Sequence, residues 1–274
     1  MTDTMENVSP PVRERLEFAL TEARNASELI LRYYHAADLN VELKADESPV
    51  TAADRGAEEL LRKAIEKAFR DDGILGEELG ETPGTSGFRW ILDPVDGTKS
   101  FIHGVPLFGT LIGLEHEGQC VAGISRFPAL DEVVYAARGG GAWWQKGTGA
   151  PAQVHVKQSA GIGESLFCYT AAELFDRIGA RTVYDTLSKE AKVSRGWGDC
   201  YGHMLVATGR ADLMVDPLLS IWDAAALIPI VTEAGGLFVD WTGNESQTGG
   251  NGISMTPGLK DAVLELTRPA VKDT

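Results

Sequence analysis

The chain has 274 residues, 43% hydrophobic and 24% charged, which supports one large domain or two packed halves with a sizeable core. Lys and Arg number 25 against 40 Asp and Glu, a net charge of −15. Such acidity argues against a nucleic-acid or anionic-membrane binder, and a small anionic substrate would need metal ions or a helix N-terminus to offset repulsion.

Residues 10–38 form the first predicted helix, with Val12, Leu16, Leu20, Ala23, Leu29, Ile30, Tyr33 and Tyr34 near a 3.6-residue period and Pro10 and Pro11 in its first turn. A second helix is predicted from Ala52 to Phe69, stopped by Gly73. "GILGEE" and "FRWILDP" then read as short strands ending in acids. "FGTLIGLEHEG", "CVAGISRF" and "EVVYAARGGGAWW" follow as an antiparallel run with Gly-containing turns. "GTGAPAQVHVKQSAGIG" reads as a connection, dividing an N-terminal α+β half at 1–150 from a C-terminal α/β half at 151–274, the two acting as one unit. Beyond it, "SLFCYT", "ADLMVD" and "LFVDW" are predicted strands. Residues 181–191, "CYGHMLVATG", "WDAAALIPIVTEAGG" and 257–267 are predicted helices. Mixed strands and helices place the fold in the α/β or α+β class with layered sheets.

Cys120, Cys168 and Cys200 are widely spaced and odd in number, as expected of reduced thiols without a disulfide framework or thiolate zinc site. "MTDTMENVSPPVRERLE" lacks an apolar signal core and no stretch has transmembrane length, so a cytoplasmic location is expected.

Acids recur where strands end or helices begin: Glu77 and Glu78, Asp93 and Asp96, and Asp223. Carboxylates from separate strand ends are the expected protein half of a hard-cation site, and N–H groups after Gly97 could hold phosphate oxygens. Taken alone, each stretch has a plainer reading. "DPVDG" is a turn, "GEE" a solvated acid pair, and "WDAAA" a helix start capped by Asp223. Their order and combination carry the stronger signal.

That combination resembles the inositol monophosphatase family of metal-dependent phosphomonoesterases, with "GEE" at 76–78, "WILDPVDGT" at 90–98 and "WDAAA" at 222–226. The likeness extends to "SPVTAAD" at 48–54, "ARGGGAW" at 137–143, "LVATGRADLMVD" at 205–216 and "VTEAGGLFVD" at 231–240. It implies a layered α/β sandwich of alternating helices and sheets, two or three Mg²⁺ ions per site, and a homodimer. It also implies that Glu77, Asp93, Asp96, Asp223 and the carbonyl of Val95 are metal ligands, with Glu78 a supporting acid. Thr98, paired with Asp54, would orient the attacking water with help from Glu77. Gly97 and Thr98 would bind phosphate, and Trp197, Gly198, Asp199 and Asp216 would face the alcohol.

Lys99 and Ser100 after "DGT", "HGVPLFGTLIGL" at 103–114, "GWGDCYG" at 196–202 and "LIPIVTEAGGLFVDWTG" at 227–243 resemble the bacterial histidinol-phosphatase branch. Histidinol phosphate carries an ammonium and an imidazole, which carboxylates at Asp199 and Asp216 would attract and Trp197 could pack against. The plainer alternatives are that Asp199 caps a helix and Asp216 ends a strand. Inositol-1-phosphate or another sugar phosphate is the second substrate reading, and an inactive metal-binding scaffold is a third of a different class. Lys99, Arg195 and Arg210 are isolated and offer no bisphosphate-binding cluster. His35 reads as a helix-end cap or surface group and His116 as a solvated turn residue, while His103, close after the motif, could approach the site; His155 and His203 have no Cys or His partner at zinc spacing, and Cys200 reads as a buried inert thiol.

Overall fold

The computed structural model describes residues 3–36, 41–43 and 49–271. Helix α1 (Pro10–Tyr33) buries Val12, Leu16, Ala23 and Ile30 of the predicted stripe together with Ala19 and Ala26, while Leu20, Leu29, Tyr33 and Tyr34 flank it half-buried. It ends before residue 38 because Tyr34 leaves the helical path and His35 turns with φ of 66°. Tyr34 then packs on Phe108 with ring centroids 4.9 Å apart and donates its hydroxyl to the Gly104 carbonyl at 2.7 Å. Ala37 and Asp38, the end of that predicted helix, lie outside the described residues, as does Ser48. Strands β1 (Val41–Leu43) and β2 (Pro49–Thr51) pair as a small ribbon that runs into α2 (Ala52–Ala68).

An eight-stranded sheet follows, built from β3 (Gly73–Gly76), β4 (Gly80–Thr82), β5 (Phe88–Asp96), β6 (Gly109–His116), β7 (Gln119–Phe127), β8 (Glu132–Ala137), β9 (Ala142–Lys146) and β10 (Ala152–Val154). Its order is β10-β9-β8-β7-β6-β5-β3-β4. The predicted antiparallel run is present from β5 to β10, while β3 and β5 run parallel. β10 lies inside the stretch read as a connection. Its alternation is weak, and it is held at the sheet edge by pairing with β9.

The second sheet contains β11 (Leu166–Cys168), β12 (Val193–Arg195), β13 (Leu213–Asp216), β14 (Leu237–Val239) and β15 (Gly252–Met255), in the order β12-β11-β13-β15-β14. Between these strands lie α4 (Ala172–Arg177), α5 (Arg181–Glu190), α6 (Asp199–Ala207), α7 (Ile221–Ala225) and α8 (Leu227–Glu233), with α9 (Lys260–Thr267) after β15. The single helix expected over "WDAAALIPIVTEAGG" is thus two. Pro229 has no N–H for the Ala225 carbonyl, so the chain breaks at Ala226 and starts again.

Three buried clusters define the layering. One joins α1 and α2 to one face of the large sheet through residues such as Trp90, Leu92 and Ile112. The second fills the space between the other face of that sheet, through Ile91, Leu111 and Val134, and the small sheet, with α6, α7 and α8 between them. The third covers the outer face of the small sheet with α4, α5 and α9. The result is an α-β-α-β-α sandwich, and Ile91 falls between Trp90 and Leu92 because strand side chains alternate faces. No helix among the described residues is long and apolar enough to cross a membrane. The three cysteines are free and buried.

Candidate active site

Strand β5 meets β6 in regular register from Phe88 to Asp93, then Asp93 pairs with Leu111 and Asp96 with Gly109. Three steps on β5 match two on β6, so Pro94 and Val95 form a bulge that re-aims the strand end. Thr110 Oγ1 donates to the Pro94 carbonyl at 2.8 Å, and the Val95 N–H donates to Asp93 Oδ1 at 3.1 Å. Gly97 follows with φ of 79°, a conformation glycine adopts without strain, and starts the short helix α3 (Thr98–Ile102). A strand that should avoid acids therefore ends in a bulge and a turn that present Asp93 and Asp96 together.

Asp223 reaches this point from the other half of the molecule. Gly113 and Gly123 pair across β6 and β7, and both lie under the α7–α8 junction. A Cβ on Gly123 would sit 2.0 Å from the Ala226 carbonyl oxygen, and one on Gly113 would sit 2.7 Å from Ala225 Cβ. Only a bare backbone permits this approach, which brings α7 down onto the sheet. Ligand oxygens of Asp93, Asp96 and Asp223 lie within 4.8 Å of one another.

Glu77 adjoins the group from the turn after β3. Its charge is among the causes raising Asp93 and Asp223. Its backbone N–H donates to the Leu92 carbonyl at 3.1 Å. The turn is clamped by Glu58, a fully buried α2 residue that sequence reasoning missed. Glu58 accepts from the N–H groups of Glu78 at 2.8 Å and Leu79 at 3.1 Å, and pairs with Arg62 at 2.8 Å. Arg62 in turn donates to the Gly80 carbonyl. The available signal was that Glu58 and Arg62 share the α2 face that buries Ala57, Leu61 and Ile65. Glu78 is itself half-buried, and its charge helps raise Asp54.

Burial is the first cause of high carboxyl pKa values throughout this group, with mutual repulsion second. Asp93 is held well above the usual carboxylate range by burial, then by Glu77, Asp96 and Asp223. Asp96 is raised by burial, partly offset by the Cys200 thiol and then by the Cys200 N–H, which donates to its Oδ2 at 2.6 Å from the start of α6. Asp223 is pushed up to about 8 by burial and Asp96. Convergent buried oxygens that repel each other fit a hard divalent cation, which takes carboxylate and carbonyl oxygen and removes the repulsion.

Asp54 and Thr98 meet at the edge of this cluster. Asp54 Oδ2 accepts from the Thr51 N–H at 2.8 Å and Oγ1 at 2.6 Å. Thr98 Oγ1 lies 3.0 Å from the Val95 carbonyl and 3.5 Å from Asp54 Oδ1. One hydroxyl proton serves one of these acceptors at a time.

A cavity of about 340 Å³ opens beside the cluster, lined by Glu77, Gly97, Thr98, Lys99, Gly198 and Asp199 among others. Asp199 does not occupy the cap position of α6, which falls to Gly198. Its backbone takes φ of 51°, and its N–H donates to Thr170 Oγ1 at 2.9 Å. Its Oδ2 lies 3.2 Å from where a Cβ on Gly97 would be, directly over the candidate phosphate loop. Burial, then Asp96, Asp216 and Asp223, push its carboxyl well up. Asp216 lines a deeper cavity of about 100 Å³ that shares Thr170, Leu174 and Asp199 with the larger one. Trp197 is 40% exposed and lines neither cavity, so the structure does not bring it to the others. A cleft of similar size around Cys120 and Arg138 has no comparable convergence of acids, and volume alone does not mark the site.

His103 and His116 have local explanations. His103 Nδ1 contacts the Lys99 carbonyl at 2.8 Å, and His116 stacks on Phe88 with centroids 4.1 Å apart. His203 is different, being buried against Asp216.

Residues 12–271 match the model of the inositol monophosphatase family. The chain belongs to that family. It is 48% identical to a histidinol-phosphatase of Chlorobaculum parvum, covering 87% of this chain and 90% of that one. It is 35% identical to a histidinol-phosphatase of Mycobacterium tuberculosis, covering 91% and 96%. Among solved structures it is similar to an inositol monophosphatase from Zymomonas mobilis, at 32% identity and a TM-score of 0.80 over 93% of this chain and 98% of that one. The Thermotoga maritima IMPase gives a TM-score of 0.83 at 28% identity, covering 94% and 98%. The layered fold is thus that of the family, and metal dependence is the chemistry its acidic cluster suits.

Proposed function

We propose that the chain is a Mg²⁺-dependent phosphomonoesterase that hydrolyses L-histidinol phosphate to L-histidinol and phosphate. The observation that carries the substrate is Asp199, whose carboxylate stands over Gly97 with Asp216 behind it. These acids lie beyond the metal group, where the alcohol part of a bound ester would extend, and an ammonium or imidazole N–H satisfies them. The histidinol-phosphatase relatives support the same choice.

Glu77, Asp93, Asp96, Asp223 and the Val95 carbonyl would hold the metal. When bound, Mg²⁺ neutralises phosphate charge and lowers the pKa of water. Thr98 sits between the Val95 carbonyl and Asp54. By donating to Asp54 Oδ1, it leaves its lone pairs to accept a hydrogen bond from the attacking water. Burial raises Asp54, making it a better proton acceptor than an exposed aspartate. The N–H groups of Gly97 and Thr98, at the start of α3, would bind phosphate oxygens. Residues 1–150 supply Asp54, Glu77, Asp93, Asp96 and Thr98, and residues 151–274 supply Asp199, Asp216 and Asp223, so this reading treats the halves as one functional unit.

The test compares kcat/KM for L-histidinol phosphate and inositol 1-phosphate, with and without Mg²⁺. A Mg²⁺-dependent preference for histidinol phosphate of at least about tenfold, lost in Asp199→Asn, is expected. Equal or inverted preference overturns the substrate assignment.

A further inference from the structure

His203 projects from α6 and is 1% exposed, yet it lies among apolar neighbours without being one of them. Its Nε2 is 3.2 Å from Asp216 Oδ2 on β13, and its Nδ1 is 2.7 Å from Ser254 Oγ on β15. A carboxylate oxygen only accepts, so Nε2 carries the hydrogen. The Nδ1 of a neutral ring then accepts from the Ser254 hydroxyl. Three elements thereby fix one ring orientation.

Asp216 is also held through its main chain, because its carbonyl accepts from Trp241 Nε1 at 3.1 Å. The residue is 2% exposed, and its second carboxylate oxygen, Oδ1, is buried with no hydrogen-bond partner among the described residues. A buried acceptor left unsatisfied is costly, and native structures retain one where a ligand or water completes it. Asp216 and His203 both line the cavity of about 100 Å³ with Asp96, Asp199 and Asp223. Such a volume holds a small cationic group and, with so many acceptors on its wall, calls for a donor.

We infer that His203 is a positioning residue for substrate specificity: it occupies Asp216 Oδ2 and so leaves Oδ1 for an N–H of the alcohol moiety. Without the ring, the carboxylate could rotate to satisfy itself elsewhere and would present no fixed acceptor. This deepens the proposed function and rests on it for the amine-bearing nature of the ligand.

The experiment measures KM and kcat of the purified Mg²⁺-loaded enzyme on L-histidinol phosphate and on p-nitrophenyl phosphate, which brings neither amine nor imidazole. His203→Leu is expected to raise KM for histidinol phosphate about tenfold or more and to lower the specificity ratio between the two substrates by the same factor. His203→Gln, whose amide can still donate to Asp216, recovers most of that ratio. Ser254→Ala, which loosens the ring without removing it, moves the ratio in the same direction by less, and reads the effect if His203→Leu does not fold. A parallel loss on both substrates in the variants that fold, or a ratio left unchanged, overturns the inference. The parent reading fails separately, if the wild type itself shows no preference for histidinol phosphate.

Discussion

Two helices of this molecule start with the same local device and end in different chemistry. At the start of α2, Thr51 precedes Asp54, and the Asp54 carboxylate accepts the Thr51 N–H at 2.8 Å. At the start of α7, Ser220 precedes Asp223, and the Asp223 carboxylate accepts the Ser220 N–H at 2.6 Å. Both are acids placed three residues after a hydroxylated cap, so Ser220, and not Asp223 as expected from "WDAAA", is the cap of α7. Asp54 then turns its remaining oxygen toward Thr98, whereas Asp223 joins Asp93 and Asp96. A capping motif therefore fixes the backbone of an acid and one of its oxygens. What the other oxygen does depends on which surface the helix lands on.

The largest separation between the two should come from substituting the acids themselves. Asp223→Asn removes a proposed metal ligand, and turnover should fall below detection at saturating Mg²⁺. Near-normal kcat would sink the metal assignment. Asp54→Asn leaves the metal group intact, so kcat should fall about a hundredfold while Mg²⁺ binding, followed by calorimetry, is retained.

Stability against pH offers a second contrast. Asp223 has its folded pKa pushed up to about 8, well above the roughly 3.9 of an unfolded aspartate. Between these values the folded state binds more protons than the unfolded one, so stability falls as pH rises. Asp93 and Asp199 are shifted in the same direction. The metal-stripped protein should lose Tm steadily from pH 4 towards pH 8, and Mg²⁺ should largely restore it at the upper end. A Tm that rises with pH in the stripped protein would contradict the raising of these carboxyls by burial and mutual repulsion.

Two smaller perturbations act on one helix each. Gly123→Ala places a Cβ against the Ala226 carbonyl, and should cost about 1–3 kcal/mol in chemical denaturation and lower kcat by displacing Asp223. Thr51→Ala removes the hydroxyl that caps Ala53 and donates to Asp54, and should cost about 1 kcal/mol with a modest fall in kcat. If Gly123→Ala left kcat untouched, α7 docking would not be what positions Asp223.

Legibility followed the reach of the interactions concerned. The stripe of α1 and the strands β5 to β8 were readable, because periodicity reports a buried face within one element. β15 does not stand out, although it sits between β13 and β14, because Gly252 and Ser254 have little strand preference and only the pairing on both sides holds them extended. Within the site, the acids of "WILDPVDGT" stood out because acids in an apolar strand need a reason. Glu58 did not, since an acid followed four residues later by Arg62 reads as an ordinary helix-surface pair. His203 has no partner at zinc spacing, and neither Asp216 nor Ser254 lies near enough in sequence to suggest the pair.

The sequence by itself determined the turn at Gly97, the buried stripes and, through its family pattern, the convergence of Asp93, Asp96 and Asp223. These depend on neighbouring residues and are written locally. Only the tertiary structure decided that the paired glycines of β6 and β7 admit α7, that Glu58 clamps the Glu77 turn, that Trp197 stays outside while Asp199 covers Gly97, and that Asp216 keeps one oxygen unpartnered. Each of those depends on close approach between distant segments, where tenths of an ångström separate contact from clash and no local pattern records the distance.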